Sequence, residues 1–155
     1  LQEYGERVRE AQEALWELLK RVKELAEQLK QGREQLLSLL REKGRGAAEA
    51  FSSDLRDYLR DSRVAFRRLR QVASGINRLR SLKRRVVRAA RSGDLQKAAE
   101  LIEGALDRLE EAGDFLDQLA REMQDSLGRQ AELLDRVKQW SPPPEEGDAG
   151  GAEGA

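Results

Sequence analysis

Apolar residues recur in alternating steps of three and four along most of this chain. That spacing lines side chains up on one face of an α-helix. A first seam runs Leu1, Tyr4, Val8, Ala11, Leu15, Leu18, Val22, Leu25, Leu29, Gly32, Leu36 and Leu39, and only Gly32 breaks its apolar character. A second runs Phe51, Leu55, Tyr58, Ser62, Ala65, Leu69, Val72, Ile76, Leu79, Lys83, Val86 and Ala90. A third runs from Leu95 through Ile102, Leu109, Leu116, Met123, Gln130 and Val137 to Trp140. Flanking stripes such as Leu19, Ala26 and Leu40, or Leu59, Phe66 and Ala73, widen each face. A widened face suits a helix that touches two neighbours better than a two-stranded zipper.

The seams are separated by short helix-ending signals. In KGRG, Lys43 to Gly46, two glycines permit the left-handed geometry that closes a helix. In SGD, Gly93 can close one helix and Asp94 can cap the next. SPPP from Ser141 stops the third, because proline lacks the donor and clashes with the preceding turn. Tight connections imply antiparallel neighbours. The expected fold is therefore all-α: an elongated antiparallel three-helix bundle with coiled-coil-like heptad packing, its helices spanning about 1–42, 47–91 and 94–140 of a domain 1–140. Residues 141–155, rich in Pro, Gly and acid, have nothing to bury and are expected to form a disordered tail.

Folding the chain at its turns makes two contacts predictable. Trp140 should reach the end of the core near Phe51 and Leu55. Gly32, Tyr58, Ser62, Ser126 and Gln130 should share one height, with Tyr58 filling the gap left by Gly32 and the polar groups bonded to backbone or water. The competing expectation is that this layer is a weak point where the bundle bends or opens.

Composition removes most chemistry. The chain has no Cys and no His, so thiol chemistry, the commonest metal ligand and the commonest general base are all missing. No serine has a base within helical reach and no glycine-rich loop matches a phosphate-binding pattern. Glu110, Glu111, Asp114 and Asp117 cluster at helical spacing, yet the seam beside them turns them outward as a solvated face. No catalytic, cofactor-binding or metal site is expected, and the chain is read as non-enzymatic. No apolar run is long enough to cross a bilayer and no signal-peptide core is visible, although the sequence opens on Leu1 rather than Met. The expected location is cytoplasmic.

Charge changes the picture. The chain is neutral overall, but Ala47 to Arg91 carries 13 basic and 4 acidic residues, and no acid occurs from Ser62 to Ser92. The stretch RLRSLKRRVVRAAR, Arg78 to Arg91, is half basic. One reading is attraction to an anionic partner, an acidic lipid surface or a nucleic-acid backbone, through Arg67, Arg68, Arg78, Arg80, Lys83, Arg84, Arg85, Arg88 and Arg91. Leu79, Leu82, Val86 and Val87 among these arginines also resemble the helices that calmodulin grips. The leading reading is internal neutralisation. In the expected bundle this stretch lies between Glu3, Glu6, Glu10 and Glu13 of the first helix and Asp94, Glu100, Glu103 and Asp107 of the third. Lys83, on the seam itself, should bury its stem and lead its amine to solvent or a nearby acid.

Trp16, just off the first seam, should pack on the edge of a neighbouring helix, and facing solvent it becomes a candidate partner anchor. The general pattern resembles a spectrin-type repeat with longer helices, and the basic middle helix resembles those of membrane-bending BAR-type bundles. No motif carries either resemblance. The sequence is thus read as a structural or protein-interaction module of scaffold or adaptor kind, with anionic-surface binding as the alternative. A homo-oligomer formed by helix exchange would satisfy the same heptads.

Overall fold

A computed structural model describes residues 2–144, apart from the side chains of Gln2, Asn77 and Arg80. All its regular elements are helices: α1 Gln2–Lys43, α2 Arg45–Ala50, α3 Ser52–Arg91 and α4 Leu95–Gln139. Of the expected tail, 141–155, residues 141–144 are exposed and without regular structure, and 145–155 lie outside the described residues. α1, α3 and α4 match the three seams to within a few residues, while α2 was not anticipated. Only Gly44 of KGRG takes a positive φ, of 92°. Gly46 is already helical, because Ala47, Ala48 and Ala50 favour a helix and Ala47 is completely buried.

The second turn is built as its residues imply. Asp94 N–H donates to the Ala89 carbonyl and Gly93 N–H to Ala90, while Gly93 takes a φ of 83°. These two bonds satisfy carbonyls that the end of α3 would otherwise leave open. The Asp94 carboxylate then accepts from Lys97 N–H at 3.0 Å and starts α4. At the far end α4 stops at Gln139, just before Ser141 and the prolines. Trp140 lies against Gly46, and Lys43 Nζ donates to the Lys138 and Trp140 carbonyls at 3.1 Å each.

α4 is the helix that the other two share. α1 runs parallel to it and α3 antiparallel, whereas the backbones of α1 and α3 barely approach one another. Tight turns imply antiparallel neighbours but do not set how closely each pair packs. Side-chain volume explains the difference. α4 presents small residues, Ala98, Ala105 and Ala120, to its partners. Tyr58, Phe66 and Arg33 stand between α1 and α3, with the Arg33 guanidinium 5.9 Å from the Phe66 ring centre. Ion pairs fix the α3/α4 register: Arg136–Asp54 at 3.1 Å, Arg129–Asp61 at 2.6 Å and Arg68–Glu122.

The polar layer exists at the expected height, but its filling differs. The Gln130 amide, not Tyr58, occupies the space over Gly32, and a Cβ there would lie 2.0 Å from Gln130 Oε1. Gln130 Nε2 donates to the Leu29 carbonyl at 2.9 Å and to the Tyr58 hydroxyl. Ser62 Oγ is buried with no hydrogen-bond partner, although it lies close enough to the phenol to influence it. Apart from that hydroxyl the layer is closed and bonded, so it is not where the bundle opens.

Burial pushes the Tyr58 phenol above its usual pKa, against the opposing pull of Gln130, Ser62 and the Arg33 charge. A raised folded value means the neutral phenol stabilises the fold fully below about pH 10, and that contribution is lost as pH climbs through the folded pKa. Denaturant melts in alkaline buffers are expected to show the native chain losing more stability than Tyr58→Phe. Parallel decline in the two proteins would refute the assignment.

Candidate functional site

The core does not fill the whole bundle. Its continuous cluster of buried apolar side chains reaches Leu15 on α1, Val72 on α3 and Leu109 on α4, and goes no further toward the start of α1. Beyond that level buried residues reappear only as Leu82, Ala89, Ala98, Ile102 and Ala105. A cavity of about 530 Å³ opens among them. Ile102, Ala105 and Leu109 of α4 form its floor, Val8 and Gln12 of α1 one wall, and Leu79, Leu82, Val86 and Val87 of α3 the other. A second cavity of about 220 Å³ shares Gln12, Leu79 and Leu109 and continues past Leu15 to Trp16. Together they form one groove between α1 and α3. From Ile76 to Val87 it runs for about 16 Å, or three helical turns.

The local sequence accounts for the opening. Lys83 holds a seam position between Leu79 and Val86, and an ammonium cannot be sealed into an apolar layer without a partner. Lys83 is exposed, and its seam neighbours Leu79 and Val86 are only half-buried. On the opposite wall the described seam offers Tyr4, Val8 and Ala11 before Leu15, and none of them is buried. There is too little apolar volume here to draw α1 and α3 together.

Basic side chains border the groove. Lys83, Arg84, Val87, Arg88 and Arg91 line a shallow depression of about 460 Å³ on the outer side of α3, which shares Lys83 and Val87 with the larger cavity. Arg67, Arg78 and Arg85 are also exposed, and the Arg80 side chain lies outside the described residues. Among the described residues, no ion pair within 4.0 Å involves any member of the Arg78 to Arg91 stretch. The expected neutralising contacts with Glu3, Glu6, Glu10, Glu13, Glu100, Glu103 and Asp107 are not among the ion pairs, and Asp94 caps α4 instead. Arg68 departs from the rest: it is held by Glu122 in the packed half, away from the basic rim.

Trp16 takes the solvent-facing alternative. It is 55% exposed, one side lines the end of the groove, and Lys23 Nζ sits 5.9 Å from its ring centre. Val87, 41% exposed, marks the other end. The acidic cluster Glu110, Glu111, Asp114 and Asp117 is exposed, and Asp117 pairs with Arg121 at 3.1 Å. The groove itself escaped sequence reading. Its one sign in the sequence is Lys83 on the second seam, which stands where the two helices part.

No protein-family model matches this chain, and no curated protein and no solved structure is similar enough to it to count as a relative.

Proposed function

We propose that this chain is a non-enzymatic protein-interaction module, of scaffold or adaptor kind, that receives a partner in the groove between α1 and α3. One observation carries the reading: seam side chains that would close a bundle stay half-buried around a cavity bounded by exposed Trp16 and Val87. The floor beneath is already buried, but Val8, Leu79 and Val86 stay half-buried and Trp16 and Val87 exposed, and a partner that covers them recovers hydrophobic free energy. The non-enzymatic part rests on residue chemistry, since neither His nor Cys is present to act as base, ligand or nucleophile. The heptad spacing of the packed half supports coiled-coil-like packing there, as part of the same proposal.

The test is a photo-crosslinker placed at position 16 or 87, with position 64 as control, in extracts of the source cells. Val64 is another exposed apolar residue but lies outside the groove. Protein adducts specific to the groove positions are expected. Equal labelling at position 64, or none at 16 and 87, removes the proposal.

A second reading, binding of an anionic lipid surface or nucleic-acid backbone, is favoured by the exposure of Arg78, Lys83, Arg84, Arg85, Arg88 and Arg91 without ion pairs among the described residues. It predicts retention on heparin or acidic vesicles that weakens steeply with salt and is abolished by Arg84→Glu, Arg85→Glu and Arg88→Glu together. Absence of retention at low ionic strength eliminates it.

A further inference from the structure

We infer that the partner seated in the groove is an amphipathic helix with acidic residues along one edge. The inference rests on the groove being a protein-binding face and names what that face selects. Both walls repeat at helical spacing, with Val8, Gln12 and Trp16 on one side and Leu79, Lys83 and Val86 on the other. A fourth helix laid between them meets ridges on both flanks and sets its own apolar stripe against the half-buried Val8, Leu79 and Val86. Three turns of such a helix span the groove from Trp16 to Val87 and cover both.

Charge decides the partner's edge. Lys83 stands on the lip of the α3 wall, with Arg84, Arg88 and Arg91 beside it on the outer side of α3, and none of the four shares an ion pair with any described acid. On the α1 wall Glu6 and Arg9 offset one another. Acids are therefore favoured along the edge facing α3 and nowhere else, which fixes the rotation of the incoming helix. A membrane surface is a poorer match. It meets the outward arginines but not the half-buried Val8, Leu79 and Val86 set back between the two helices.

The probe is a labelled synthetic helix of about five turns, with leucines in alternating steps of three and four and glutamates along one edge. Its counterpart carries lysines in place of the glutamates, and phosphatidylserine vesicles form the third arm. Fluorescence anisotropy at low salt is expected to show the acidic peptide binding at least about tenfold more tightly than the basic one. That ratio should shrink as salt rises. Trp16→Ala should weaken the acidic peptide about tenfold, and Arg84→Glu with Arg88→Glu should erase the preference between peptides. All three side chains are exposed, so circular dichroism should show unchanged helix content. Equal or tighter binding of the basic peptide, still dependent on Trp16, overturns the acidic-helix inference and leaves the groove reading standing. If neither peptide binds, the inference falls whether or not vesicles bind, and the groove reading falls with it only if crosslinks from positions 16 and 87 also fail.

Discussion

Gly32→Ala is expected to destabilise the protein by about 2–3 kcal/mol, although the same change in a helix interior ordinarily gains about 0.5–1 kcal/mol. The added methyl carbon would lie 2.0 Å from Gln130 Oε1. Gln130 is a flexible side chain and can swing away, but only by giving up its bonds to the Leu29 carbonyl and the Tyr58 hydroxyl inside the core. The cost is thus chiefly lost hydrogen bonding, with overlap as the trigger. A double-mutant cycle isolates it. In a Gln130→Ala background the space over Gly32 is vacant, and Gly32→Ala should turn neutral or favourable. Gly75→Ala is the control: nothing lies within 4 Å of a Cβ there, so about 0.5–1 kcal/mol should be gained. Denaturant melts of the four proteins in the cycle, and of Gly75→Ala, decide the matter. A Gly32→Ala penalty that persists without Gln130 would show that the glutamine is not its cause.

The second large effect is a gradient along the bundle. Leu116→Ala is expected to cost about 3–4 kcal/mol, because Leu116 is wholly buried and its loss leaves a void in a packed layer. Leu79→Ala should cost only about 1 kcal/mol, because Leu79 already borders open space on more than one side. The same asymmetry should appear in amide hydrogen exchange. Protection in α3 should fall off beyond about Val72, where the continuous core ends, while α4 around Leu116 and Met123 exchanges only through global unfolding. Comparable penalties for the two leucines, or uniform protection along α3, would mean that the groove is packed shut in solution.

The parts of this fold that sequence revealed are those set by local rules. Leu36, Leu116 and Val137 announce their burial through a three-and-four spacing that depends on one helix alone. Gly93 and Asp94 mark a turn because each supplies a backbone or side-chain group that the helix ends lack. Counting residues out from the turns even placed Gly32, Tyr58 and Gln130 at one level. What failed were choices made among several helices at once. Whether Tyr58 or Gln130 occupies the space over Gly32 depends on three backbones meeting at fixed distances. The separation of α1 and α3 likewise depends on the bulk of Tyr58, Phe66 and Arg33 against the smallness of Ala98, Ala105 and Ala120, a sum no single seam contains. The groove has its own local cause, Lys83 of α3 opposite small side chains of α1, and that too needs two helices read together. The basic residues of the candidate site were therefore legible, while the apolar recess beside them was not.

An odd number of long helices, two pointing one way and one the other, cannot cancel its backbone dipoles. α1 and α4 both direct their amino ends toward the groove, and only α3 brings a carboxyl end there. One uncompensated macrodipole remains, equivalent to roughly half a positive charge at that pole and half a negative one near Trp140. The arginines of α3 thus stand on the positive pole of the rod. That half charge acts over about one helical turn, so an acid seated at this end is favoured over one seated near Trp140.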